Sequence, residues 1–158
     1  MREILSAIAL AVFCWTAAVA ENRGGLSAQD QASAAAVTLA YRDAWLRNAP
    51  DAVMATLTPD AVLMPSGLEP ISGEAAIRRF WWPAGGRAAT ITAMEQVIDE
   101  ISGDGGVAIV WGHGSLSFSM MQNGKEENRS QRMMFMNIVR RQANGAWLIA
   151  RRMWSDLK

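Results

Sequence analysis

The chain contains a single histidine, His113, flanked by Gly112 and Gly114. If this segment is a β-strand, its alternation places Trp111, His113 and Ser115 on one face. On a concave face His113 would be a natural general acid or base, because imidazole titrates near neutral pH. The alternative is a hydrogen-bonded or surface histidine, beside glycines that allow two strands to pack closely.

A tyrosine hydroxyl is the second group that can take part in chemistry. Val37, Tyr41 and Trp45 recur every four residues, which predicts one buried face of a helix. The Tyr41 side chain must then enter the space between this helix and whatever packs against it. Its hydroxyl needs a polar partner there, since an unpaired buried polar group costs about 1–3 kcal/mol. We expect Tyr41 on a cavity wall; the alternative is a role in the core alone.

Arginines gather near the C-terminus, at positions 132, 140, 141, 151 and 152. The planar guanidinium binds carboxylates and phosphates through two parallel hydrogen bonds. Strand alternation gives Arg151 the same facing as Ile149 and Met153, which predicts that Arg151 points inward. The alternative is a row of solvated or subunit-facing arginines.

The composition argues against several classes of partner. The only cysteine is Cys14 and the only histidine is His113, whereas a zinc site usually needs about three or four such ligands. We therefore expect neither a metal nor another cofactor. The formal net charge is zero, so no long-range attraction to nucleic acid or to an anionic membrane is expected.

The first 20 residues have the pattern of a signal peptide. Arg2 is followed by a nearly unbroken apolar run over 4–18, and small residues at 18 and 20 form a cleavage site before Glu21. The run is shorter than the roughly 20 residues that span a bilayer, although an uncleaved anchor is the alternative. The sequence thus predicts a signal peptide over 1–20, a folded domain over 21–158, a periplasmic or secreted location, and no membrane association after cleavage.

The remaining pattern predicts helices first and strands afterwards. Ser27 is a good cap for a long helix, Pro50 suits the start of a second, and Ser72 can cap a third. A short strand over 61–64 lies between the last two helices. Four further strands, over about 90–101, 107–120, 130–142 and 146–155, are separated by glycine-containing turns, two of them Asn-Gly. This order predicts an α+β fold with helices on one face of an antiparallel sheet.

Particular segments resemble the SnoaL-like branch of the nuclear transport factor 2-like superfold. They are YRDAW (41–45), PDAVLMP (59–65), ISGEAAIRRF (71–80), VAIVWG (107–112), RRQANGAW (140–147) and MWS (153–155). The resemblance implies a cone-shaped half-barrel in which three N-terminal helices pack on a curved antiparallel sheet. It also implies a homodimer that pairs through the outer face of the sheet. The superfold hosts many activities, so it implies no particular reaction.

The steroid isomerases of this superfold give a residue-by-residue comparison. They have a catalytic aspartate directly before the proline that ends the first strand, where this chain has Met64, which cannot move a proton. Their oxyanion-binding tyrosine resembles Tyr41. Their second aspartate falls at Met136 and Asn137, of which only Asn137 can donate a hydrogen bond. The resemblance therefore does not carry the isomerase activity to this chain.

Methionine and tryptophan dominate the predicted pocket. Its expected lining residues are Trp45, Met64, Trp81, Trp111, Met136, Asn137, Arg151 and Met153. Such a lining favours a small hydrophobic or aromatic ligand, and flexible methionines accommodate several. One hypothesis is a cofactor-independent lyase or isomerase that uses Tyr41 and His113 on a small carbonyl-type compound. The alternative is a non-catalytic ligand-binding or dimeric accessory protein.

The leader pattern makes a direct prediction about the mature protein. Cleavage after Ala20 would leave Glu21 as the first residue. N-terminal sequencing of the exported protein is expected to read from Glu21 or within a few residues of it. An exported protein that retains Met1 would contradict this cleavage.

Overall fold

The computed structural model describes residues 25–85, 89–122 and 124–157. The predicted signal peptide lies outside these residues. The elements in chain order are α1 (Ala28–Leu46), α2 (Pro50–Ala55), β1 (Leu57–Met64), β2 (Ile71–Ser72), α3 (Glu74–Trp81), β3 (Thr90–Asp104), β4 (Val107–Gln122), β5 (Lys125–Arg141) and β6 (Trp147–Leu157).

The strands form a single six-stranded sheet in the order β2-β1-β6-β5-β4-β3. Strands β3 to β6 make an antiparallel meander, as the hairpin signals predict. Strand β1 pairs with β6 in parallel, so the sheet is mixed rather than wholly antiparallel. The helices pack on its concave side, which confirms the α+β cone fold.

Helix α1 is capped and oriented as predicted. The Ser27 hydroxyl accepts a hydrogen bond from the Asp30 backbone N–H at 3.1 Å, and Val37, Tyr41 and Trp45 are all buried. Beyond the helix, Asn48 accepts from the Ile91 N–H at 2.7 Å and donates to the Ile91 carbonyl at 2.9 Å. This pair of bonds ties the end of α1 to the start of β3.

Two local predictions differ from the structure. Ser72 belongs to β2, and α3 begins after Gly73, which has a φ of 81° and provides no side-chain cap. Strand β1 begins at Leu57, four residues before the predicted start at Ala61, because it runs alongside β6. A pairing partner that is distant in sequence thus extends a strand beyond its local signal.

Glycines in β4 allow the sheet to curve tightly. A Cβ atom on Gly112 would lie 1.9 Å from the carbonyl oxygen of Val97, and one on Gly114 would lie 1.9 Å from that of Glu95. No residue with a side chain tolerates such distances, so β3 can lean over β4 only because both positions are glycine. Register shifts in β3, one of them between Ile98 and Glu100, accompany this curvature.

Candidate functional site

A pocket of about 250 Å³ opens between the helices and the concave face of the sheet. Most of its wall is aromatic or aliphatic, and the polar side chains among the described lining residues are Tyr41, Gln131 and Arg152. The apolar lining comprises Trp45, Phe80, Trp81, Ala89, Ile91, Met94, Leu116, Phe118, Met133 and Trp154. The cavity is slightly smaller than the roughly 300–1,000 Å³ typical of pockets for drug-sized molecules.

Aromatic rings from α1 and α3 build one wall. Trp45 stacks on Trp82 with ring centroids 5.2 Å apart and meets Trp81 edge-on at 5.0 Å. Tyr41 lies 6.2 Å from both Trp45 and Trp81. Each such pair adds about 0.5–1.5 kcal/mol beyond the burial of area, so the wall is well packed before any ligand enters.

Arg152 on β6 is the charged group among the described residues that line the pocket. The residue is 2% exposed, and its guanidinium carbon lies 4.5 Å from the centroid of the Tyr41 ring. It also lies 5.3 Å from the Phe135 ring and 6.0 Å from the Trp154 ring. The negative faces of aromatic rings attract a cation at these distances, which partly offsets its loss of hydration.

Hydrogen bonds connect Arg152 to the first helix. Its Nη1 donates to Asn137 Oδ1 at 2.8 Å, and Asn137 Nδ2 donates to Thr38 Oγ1 at 3.3 Å. The Thr38 hydroxyl in turn donates to the Ala34 carbonyl at 3.1 Å. All the side chains in this series are buried, so it fixes the guanidinium relative to α1 and β5.

Burial and charge determine the protonation states. Burial lowers the pKa of Arg152, whereas its interaction with Tyr41 raises it; arginine nevertheless stays protonated in proteins. Burial raises the pKa of Tyr41, and the positive charge of Arg152 acts in the opposite direction. At neutral pH the pocket therefore contains a guanidinium cation and a neutral phenol, both of which are hydrogen-bond donors.

The structure brings together only part of the predicted site. Tyr41, Trp45 and Trp81 line the pocket. Asn137 is completely buried and supports Arg152 instead of lining the cavity. Met64 is half-buried beside Met153 of β6 and does not line the pocket.

His113, one of the two candidate catalytic residues, is not in the pocket; it has the hydrogen-bonded surface position that was its alternative. The inner face of β4 carries Val110, Leu116 and Phe118, so the odd-numbered residues His113 and Trp111 lie on the outer face. His113 Nδ1 is 2.7 Å from Asp99 Oδ2, and the Trp111 indole donates to Glu100 at 3.0 Å. The general acid or base expected in the pocket is therefore on the opposite side of the sheet.

On β5 and β6 as well, the residues predicted to face the pocket lie on the outer face. Met136 and Met153 were expected in the pocket, but they pair with each other on the outer face and are exposed. On β5 the odd-numbered Gln131 and Met133 face the cavity instead. Alternation alone defines two faces of a strand and does not say which one is covered.

A β-bulge explains why Arg152, and not Arg151, enters the pocket. Ile149 pairs with Val139 and Arg151 pairs with Ile138, so Ala150 is an extra residue in β6. Ile149 and Arg152 are both buried although they are three residues apart, and the Arg151 guanidinium donates to the Asp60 carbonyl at 3.2 Å. The run of apolar residues at 147–150, which interrupts alternation, was the available signal.

A family comparison identifies this architecture. The model of the SnoaL-like domain matches residues 38–150, well over half of the chain. The chain belongs to the SnoaL-like family. No curated protein matches the sequence significantly.

Solved structures share the fold of this SnoaL-like domain. A ketosteroid isomerase-like protein from Erwinia carotovora atroseptica is 22% identical, with a TM-score of 0.71 over 84% of this chain and 99% of its own. A candidate dehydratase of the nuclear transport factor 2-like family from Streptomyces avermitilis is 15% identical, with a TM-score of 0.63 over 82% and 98%. These likenesses establish the fold, since the identities are low.

The described residues contain neither a cluster of metal-binding side chains nor a membrane-spanning helix. Among residues 25–85, 89–122 and 124–157, no group of three or more histidine, cysteine, aspartate or glutamate side chains is placed to hold a metal ion. No helix in this part of the chain is long and apolar enough to cross a membrane.

The Arg152–Asn137 pair predicts a strongly non-additive mutant cycle. Asn137→Leu should lower the free energy of unfolding by about 3 kcal/mol, because it leaves a buried cation without its hydrogen-bond acceptor. Adding Arg152→Met should recover most of that loss, since an apolar pair needs no such partner. Equilibrium urea unfolding of both single variants and the double variant measures the coupling. Additive effects of the two substitutions would contradict the interaction.

Proposed function

We propose that this SnoaL-like domain is a ligand-binding protein that takes a small, largely apolar molecule into the pocket beneath α1. The observation that carries the proposal is the composition of the lining, which contains no carboxylate and no imidazole among the described residues. General acid–base catalysis works best with a group whose pKa lies near the working pH. Burial raises the pKa of Tyr41 and arginine stays protonated in proteins, so both side chains can donate hydrogen bonds but cannot readily accept a proton.

The pocket suits binding in its remaining properties. Its wall is mainly aromatic, and the Tyr41, Trp45 and Trp81 rings support one another through edge and tilted contacts. A rigid aromatic wall costs little conformational entropy on binding. A few donors at one end, from Tyr41 and Arg152, would set the orientation of the ligand.

A lyase or isomerase of a small carbonyl compound is the second candidate. It is favoured by the two donors at Tyr41 and Arg152, which could stabilise negative charge developing on an oxygen. Two structural neighbours are described as isomerase-like or as a candidate dehydratase. Turnover of a carbonyl compound that Tyr41→Phe abolishes and His113→Ala leaves intact would favour this candidate over simple binding.

We propose that the protein acts in the periplasm or outside the cell, in line with the signal-peptide pattern. The binding experiments therefore use the chain that starts at Glu21, the predicted mature N-terminus.

Binding in the pocket is testable with a neutral fluorescent probe, N-phenyl-1-naphthylamine. We expect saturable binding with one probe per chain, because the probe matches an aromatic cavity and carries no charge. Ala89→Trp, at a lining position, should weaken binding at least tenfold by filling the space. His113→Ala is the matched control on the outer face and should leave the affinity unchanged. Absence of saturable binding, or equal binding by Ala89→Trp, would contradict the proposal.

The outer face of the sheet supports a second proposal, a homodimer. Ile109, Trp111, Met134, Met136 and Met153 form an outer apolar patch. Met134, Met136 and Met153 are 45%, 40% and 44% exposed, and in the sheet Met136 lies between Trp111 and Met153. Contiguous exposed apolar surface of this kind marks interaction sites. A two-fold symmetric pair would cover the patch with itself.

If the outer apolar patch is the dimer interface, one charged substitution at its centre should disrupt the dimer. Met136→Asp at the centre of the patch should convert a dimer into a monomer, because the carboxylate would be buried without a partner. Ala143→Asp, at an exposed position in the β5–β6 turn, is the matched control and should remain dimeric. Size-exclusion chromatography with light scattering at micromolar concentration measures both. A wild-type monomer under these conditions would exclude the proposed interface.

A further inference from the structure

Arg152 is a buried cation, and no ion pair among the described residues involves it. The pairs in that part of the chain use Arg42, Arg78, His113, Arg129, Arg140 and Arg141. Buried arginines are almost always paired, because a charge loses several kcal/mol of hydration when it leaves water. Arg152, the buried arginine that is an exception among the described residues, lies at the wall of the aromatic pocket.

The contacts of Arg152 offset only part of this cost. A guanidinium carries five N–H donors, and the partners of this one are both neutral: Asn137 Oδ1 at 2.8 Å and the side chain of Tyr41. The rings of Tyr41, Phe135 and Trp154 face the cation, but none of these side chains carries a negative charge. The group is thus held in place by Asn137 and still lacks a counter-ion.

We propose that the ligand of this pocket is a small carboxylate with an apolar, aromatic body, and that its carboxylate pairs with Arg152. The inference rests on the proposed binding function and specifies the class of ligand. The guanidinium fork matches the two oxygens of a carboxylate. The Tyr41 phenol lies against the guanidinium and is protonated at neutral pH, so it supplies a further donor beside it.

Charge and size favour a monocarboxylate over a phosphate ester. A phosphate monoester carries a charge of about −1.5 to −2 at neutral pH, and Arg152 is the only cation among the described lining residues. One carboxylate balances one guanidinium, whereas a phosphate would leave excess negative charge against tryptophan and phenylalanine. A cavity of about 250 Å³ restricts the body to one or two rings.

Matched pairs of compounds that differ only in charge provide the test. We would compare 3-phenylpropanoate with 3-phenylpropanamide, and 2-naphthoate with 2-naphthamide, at pH 7.5. Binding can be followed through the fluorescence of the pocket tryptophans and by calorimetry. We expect at least one carboxylate to bind the wild-type protein at least tenfold more tightly than its amide.

Variants at Arg152 then locate the charge preference. Arg152→Met should weaken carboxylate binding at least tenfold more than it weakens binding of the matched amide. If Arg152→Met alone does not fold, Arg152→Met with Asn137→Leu takes its place, since that pair leaves no unmatched polar group. Arg152→Lys keeps the charge without the fork and should retain part of the preference.

The outcomes separate this inference from the proposed function. Equal affinity for carboxylate and amide, or binding of the neutral naphthylamine probe without binding of any carboxylate, would overturn the carboxylate assignment and leave the binding function standing. A preference that persists in Arg152→Met would also overturn it. Failure of both the charged compounds and the neutral probe to bind would refute the proposed function as well.

Discussion

The burial of one positive charge constrains the interior of this SnoaL-like domain. Arg152 lies between the ring of Tyr41 and the amide of Asn137, and Asn137 bonds to Thr38 on the first helix. A cation in this position is tolerable only while its hydrogen bond and its aromatic neighbours stay in place. The same contacts therefore position α1 over the sheet and hold a donor at the pocket wall.

The curvature of the sheet makes this arrangement possible. Because Gly112 and Gly114 have no side chains, β3 can lean over β4 and the concave face can wrap around the helices. This curvature brings Leu116 on β4 and Arg152 on β6 into the lining of one cavity. The pocket and the buried charge thus depend on positions that never contact the cavity themselves.

The two faces of the sheet have opposite chemical characters. Among the described residues, the concave face presents aromatic rings, hydrogen-bond donors and the Arg152 cation, whereas the convex face carries exposed methionines beside the His113–Asp99 pair. His113 is the single histidine of the chain, and the thickness of the sheet separates it from the pocket. Because of this separation, the described lining of the pocket contains no imidazole, which favours binding over acid–base catalysis.

Interactions between residues that are close in sequence determine much of this structure, so the amino-acid sequence alone predicts it. The spacing of Val37, Tyr41 and Trp45, the Ser27 cap and the glycine turns before β5 and β6 depend on neighbours within a few residues, and they yielded α1, the meander and the α+β class. Tyr41, Trp45 and Trp81 were found as lining residues for the same reason, because a helix can bury only one stripe.

Tertiary structure alone decided which side of each strand is the inside. Alternation has a period of two, so it separates His113 from Leu116 and Met136 from Met133 without saying which member is covered by helices. The bulge at Ala150 then places Arg152, and not Arg151, in the pocket, because one extra residue reverses the facing of all residues that follow it in the strand. The helices that cover the sheet and the strand that pairs with the bulge are both distant in sequence, so no local pattern contains this information.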